Sequence, residues 1–93
     1  MTDSIKERDV EVYLVKQVEK AGGEVRKVQW VNRRGAPDRV VFLRGVHFVE
    51  LKRPGEILRD EQAREHKRMV QHGANVWTIN NHALVDAFIE SIK

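Results

Sequence analysis

A chain of 93 residues, 41% apolar and 33% charged, can build one small core and leaves no room for a second. The absence of cysteine excludes disulfides, thiolate metal sites and cysteine nucleophiles, and no apolar run approaches the length of a membrane span. A net charge of +3 and a pI near 9.5 are compatible with a nucleic-acid partner without specifying one.

The N-terminal MTDSIKERD is charged and lacks a signal-peptide core, so the expected place of action is the cytoplasm. From about Ile5 to Ala21 the pattern is helical. Glu7, Glu11, Leu14, Val15 and Val18 recur at spacings of three and four and form one stripe. Asp3 or Ser4 can cap the start, and Gly22-Gly23 stops the helix. Two glutamates on an apolar stripe are unusual. Either the stripe's first turn simply reaches solvent, or one glutamate faces a polar site; Glu11, nearer the apolar part, is the preferred one.

Glu24 to Val31 is valine-rich and partly alternating, which predicts a strand. A basic loop, Asn32-Arg33-Arg34-Gly35, leads into a turn at Gly35-Ala36-Pro37, where Pro37 keeps Ala36 out of a helix. Two strands follow, Arg39 to Leu43 after Asp38 and Val46 to Lys52, joined by a tight reversal at Arg44-Gly45. Both are nearly continuously apolar, the pattern of strands covered on two faces. Arg53-Pro54-Gly55 ends the second. A helix from Arg59 to His72, closed by Gly73, carries Leu58, Gln62, His66, Met69 and Val70 on its expected inner face. Asn75 to Ile79 reads as a fourth strand. Asn80 or Asn81 starts a last helix, Ala83 to Ile92, with Leu84, Val85, Phe88 and Ile92 inward. The order is α-β-β-β-α-β-α, an α/β class.

The stretch Gly35 to Gly55 carries the chemistry. Alternate residues of a strand share a face, so Glu50 and Lys52 point the same way. A hairpin brings Asp38 back beside them, so two carboxylates and an ammonium converge at one sheet edge. Such charges are costly to bury without a partner; a divalent cation with oxygen ligands answers that need.

These residues resemble the PD-(D/E)xK nuclease superfamily and, within it, the virus-type replication-repair nuclease (VRR-NUC) family. The resemblance rests on Gly22-Gly23, RRGAPDRVVFL at Arg33 to Leu43, FVELKRPG at Phe48 to Gly55, and EILRDEQ at Glu56 to Gln62. Asn32 departs from the family pattern, where a proline-containing turn is common. The resemblance implies a restriction-endonuclease-like core over one domain, residues 1–93, and metal-dependent hydrolysis of phosphodiester bonds in DNA replication, repair or recombination. It implies Glu11, Asp38 and Glu50 as ligands, with the Leu51 carbonyl a further candidate. That hard oxygen set suits Mg2+ or Mn2+. Lys52 would orient or deprotonate the attacking water or neutralise charge at phosphorus, and Gln62 would support the site.

Arg33, Arg34, Arg39 and Arg53 are candidate phosphate contacts. His47, His66, His72 and His82 show no metal-ligand spacing, and Trp30 and Trp77, each in an expected strand, belong to core or interface. Free-standing family members suggest a homodimer acting on a four-way (Holliday) junction, with the last helix and the Trp77 strand as the candidate contact, unless those residues simply fill the core. A catalytically silent nucleic-acid-binding module on the same fold is the alternative.

Overall fold

The computed structural model describes residues 6–92; the expected caps Asp3 and Ser4 and the Ile5 helix start lie outside them. The elements are α1 (Glu7–Lys20), β1 (Glu24–Lys27), β2 (Arg39–Phe42), β3 (Val46–Leu51), α2 (Asp60–Gln71), β4 (Val76–Ile79) and α3 (His82–Ser91). The sheet order is β1-β2-β3-β4, with antiparallel pairs up to β3 and a parallel β3–β4 pair reached through α2. The α-β-β-β-α-β-α order read from the sequence is the order observed. No described helix is long and apolar enough to cross a membrane.

Strand alternation divides the molecule into two layers. Val41 and Leu43 on one side of the hairpin, with Val49 and Leu51 on the other, face α1 and α3. There they pack on Val10, Leu14, Val18, Ile79, Val85 and Phe88 to form the core. Phe88 is fully buried under Trp77, 5.1 Å away edge to face. The expected dimer contacts Phe88 and Trp77 are therefore used inside the protomer. Gly23 permits the tight entry into β1. A Cβ there would stand 2.6 Å from the Phe42 carbonyl oxygen and 2.9 Å from Val18 Cγ1, so helix and strand approach closer than any side chain allows.

Three expectations are corrected. β1 ends at Lys27 rather than Val31. Val28 still donates to the Asp38 carbonyl (3.1 Å), but Trp30 then turns its indole N–H to the Pro37 carbonyl at 2.6 Å and Asn32 takes a left-handed φ of 58°. Second, the hairpin strands are not covered on both faces. α2 lies over β4, which leaves Phe42 and Val46 half exposed at the far end. Third, Val70 and Leu84, expected inward, are exposed, because the buried stripes run through Gln62–His66 and Val85–Phe88 instead.

Candidate active site

The β2–β3 register pairs Arg39 with Val49, so Asp38, one step beyond the ladder, lies opposite Glu50. Side chains directly opposite on antiparallel strands have Cβ atoms about 5 Å apart. By alternation both belong to the sheet face away from α1 and α3, together with Lys52. The three line one pocket of about 370 Å³ with Glu7, Gly35, Ala36, Leu51, Glu56, Arg59 and Gln62. That pocket gathers four carboxylates, Glu7, Asp38, Glu50 and Glu56, against two cations, Lys52 and Arg59. Its excess of negative charge is the wrong sign for a phosphate unless a cation joins it.

The electrostatics carry that imbalance. Burial, and then repulsion from Asp38, pushes the Glu50 carboxyl up to about 7, with Lys52 opposing. Asp38 is about half exposed, yet its Oδ1 is buried with no hydrogen-bond partner, while Oδ2 meets Arg39 Nη1 at 3.0 Å. Lys52 is buried and makes no ion pair among the described residues.

Gln62 is held from both ends. Its Oε1 accepts the Arg59 N–H (2.9 Å) at the start of α2, as the third helical residue of a capping box does. With the oxygen committed, the amide N–H2 is turned to Glu50 Oε2 at 3.3 Å. His66, one turn on, is buried with Nε2 3.8 Å from Glu50 Oε1. Burial lowers its pKa, against a hydrogen bond to the Gly35 backbone that raises it. Gly35 itself has φ 81°, and a Cβ there would stand 2.7 Å from the Glu61 carbonyl, so the loop before Asp38 rests directly on α2.

The other expected residues divide. Leu51 lines the pocket beside Glu50. Glu11 does not: Arg39 donates to its Oε2 from Nη2 at 2.6 Å and from Nε at 2.8 Å. Glu7, one turn earlier, is the α1 carboxylate that lines the pocket. Arg39, expected at a phosphate, is instead paired with Glu11 away from the surface. It is 6% exposed and shares the core-facing parity of Val41 and Leu43, where a cation needs an acid, and Glu11 is that acid. Arg33, Arg34 and Arg53 remain at the surface, paired with Glu65 (3.0 Å), Glu61 (3.9 Å) and Glu56 (4.0 Å), and none lines the pocket.

Arg59 and Trp30 escaped the reading of the sequence. Arg59 had the signal of a cation at a helix start beside the site. Trp30 had none, since its bond to Pro37, the neighbour of Asp38, depends on β1 ending early.

Among the described residues no three His, Cys, Asp or Glu side chains are grouped to hold a metal ion. The donor set nonetheless fits a magnesium-class ion, which keeps several waters and leans on one or two carboxylates: Asp38 presents an unpartnered buried oxygen opposite Glu50.

No protein-family model matches the sequence. A solved structure described as a VRR_NUC domain superposes with a TM-score of 0.84, at 38% identity, over 97% of this chain and 100% of that one. A protein of Acyrthosiphon pisum secondary endosymbiont phage 1, named "Putative nuclease p44", is 40% identical over 82 residues, 86% of this chain and 88% of that protein. The chain belongs to the VRR-NUC family. In this VRR-NUC domain the family's PD and ELK segments are the ones that the hairpin register brings together.

The raised Glu50 pKa has a consequence for stability. A free glutamate ionises near 4.5 and Glu50 in the fold near 7, so the native state holds the extra proton between those values. Stability of the metal-free protein therefore falls as pH rises through that window and stays lower above it. Glu50→Gln removes the penalty. In chelator at pH 8 it should melt roughly 5–10 °C higher than the wild type, with the difference vanishing near pH 4.5. Equal melting temperatures at both pH values would show that Glu50 is not strained.

Proposed function

We propose that this VRR-NUC domain is a divalent-metal-dependent DNA endonuclease that hydrolyses phosphodiester bonds. The observation that carries the reading is the meeting of Asp38, Glu50 and Lys52 in one pocket, with an unpartnered Asp38 oxygen and a Glu50 carboxyl held near 7. A module that only binds nucleic acid gains nothing from four carboxylates that repel phosphate.

Asp38 and Glu50, with the Leu51 carbonyl, are the residues that would hold Mg2+ or Mn2+, which polarises the phosphate and acidifies water at such sites. Glu7 is our choice for the α1 carboxylate, because Glu11 is engaged by Arg39. Lys52, buried and without an ion pair among the described residues, is the group to orient the attacking water, take its proton, or balance charge at phosphorus. Gln62, fixed by the helix cap, holds Glu50 in place. Arg59 is the pocket cation left to receive a phosphate oxygen.

The substrate we propose is branched DNA, with the four-way junction foremost, cut by a C2 homodimer that sets two sites at a fixed separation. Trp77 and Phe88 pack inside the protomer, so our candidate for self-association is the half-exposed apolar patch of Trp30, Phe42 and Val46.

Nicking of a four-way junction in Mg2+ or Mn2+, absent in chelator and reduced about 10²–10⁴-fold in Lys52→Ala with binding retained, is the expected outcome. The active species should sediment at twice 10.8 kDa. Metal-independent cleavage would remove the mechanism, equal cutting of linear duplex the junction preference, and a monomer the paired sites. The two α1 glutamates should separate by phenotype. Glu7→Gln is expected to lose about ten- to hundredfold in rate at unchanged melting temperature. Glu11→Gln should instead lose about 1–3 kcal/mol of stability by leaving Arg39 short of its acceptor, with cleavage retained at low temperature. The reverse ranking in side-by-side kinetics and melts would return Glu11 to the site.

A further inference from the structure

A groove of about 800 Å³ neighbours the catalytic pocket on the outer side of α1, lined by Lys6, Arg8, Asp9, Val12, Tyr13, Lys16 and His82. Its floor is a stacked pair. The Tyr13 ring from α1 and the His82 ring at the start of α3 lie 4.0 Å apart and within 11° of parallel. The stack is held from behind by the Tyr13 hydroxyl donating to Asp86 Oδ1 at 2.7 Å. Lys6, Arg8 and Lys16 surround it, and none of them makes an ion pair among the described residues. Asp86 accepts from Tyr13, and Asp9 accepts from the Lys6 backbone N–H at 2.9 Å. By contrast, the surface arginines 33, 34 and 53 beside the catalytic loop are each balanced by a glutamate. Three cations against one carboxylate, Asp9, line the groove, so a polyanion meets a net positive charge there.

We infer that this groove is a second nucleic-acid contact, which takes the unpaired strand at a DNA branch point as it leaves the catalytic pocket. The inference rests on the nuclease reading and names the strand that the same surface grips. Glu7 lines the catalytic pocket while its chain neighbours Lys6 and Arg8 line the groove. The two are thus separated only by the first turn of α1, about 10 Å across. A strand crossing that turn presents phosphates to Lys6, Arg8 and Lys16. Bases lie over the His82–Tyr13 stack, the combination of aromatic platform and basic rim that suits single strands. Paired bases are stacked within the duplex and offer no open ring face, so the groove selects unpaired ones.

The test is fluorescence anisotropy in chelator, where nothing is cleaved, with a labelled single-strand oligonucleotide, a flapped duplex and a blunt duplex. Lys6→Ala/Arg8→Ala/Lys16→Ala should weaken single-strand and flap binding at least tenfold and flatten the salt dependence by about 2 in log–log slope, at about 0.7 per contact. His82→Ala should weaken the same two by about fivefold or more and leave blunt duplex unchanged. All these side chains but Tyr13 are exposed, so unchanged melting temperatures should accompany the losses. Wild-type single-strand affinity and salt slope in the triple variant would overturn the inference, as would an equal loss on all three DNAs in the His82 variant. A groove that fails this test beside a wild type that cleaves junctions leaves the nuclease reading intact. A wild type that cleaves nothing in metal sinks that reading, whatever the groove binds.

Discussion

The confrontation of Asp38 and Glu50 is the constraint on which the site depends. Neither carboxylate is placed by its own chemistry. The three-residue reversal Leu43-Arg44-Gly45 sets the β2–β3 register, the register sets Asp38 against Glu50, and strand alternation adds Lys52 to the same face. The fold thus forces like charges together in a poorly solvated corner and holds one proton there to a pH near neutrality. Such an arrangement is tolerated where the partner that relieves it is part of the function.

Three devices keep the pair from relaxing apart. Gln62 ties Glu50 to the start of α2 through an amide whose other end caps that helix. Trp30 pins the Pro37 carbonyl, so the residue before Asp38 cannot swing away. Arg39 reaches both Asp38 and Glu11 from the core side, joining the site to the α1 layer. Each device is a polar bond from a neighbouring element. The site is therefore as rigid as the packing of α1, α2 and the β1–β2 connection around it.

What was legible in the sequence followed from short-range periodicity. Period-two alternation put Glu50 and Lys52 on one face, and helix spacing found Gln62 on the inner face of α2. A reversal of Arg44-Gly45 alone would set Asp38 opposite Leu51; the loop also takes in Leu43, and that third residue sets Asp38 opposite Glu50. Glu7 and Glu11 could not be separated that way, because both fall on one α1 stripe. What distinguishes them in the fold is the bond from Arg39 to Glu11, made across 28 positions of the chain. The parity of Arg39 with Val41 and Leu43 did carry a signal, since a cation on a core face needs an acid. The bare end of the sheet carried none: how far α2 reaches across the strands depends on tertiary packing, and the apolar runs of β2 and β3 look the same whether one face or two are covered. The Trp30–Pro37 bond was hidden for a related reason, as it exists only because the chain leaves the β1 ladder after Lys27.

The central claim is that Asp38 and Glu50 are built to share a divalent cation, and calorimetric titration with Mn2+ in buffers of different ionisation enthalpy tests it most directly. Glu50 holds a proton at about pH 6 in the metal-free protein, and ligation demands a carboxylate, so binding must expel that proton. The account predicts close to one proton released per Mn2+ at about pH 6, falling toward zero by about pH 8.5. Mn2+ binding without proton release at the lower pH, or with the same release in Glu50→Gln, would contradict it.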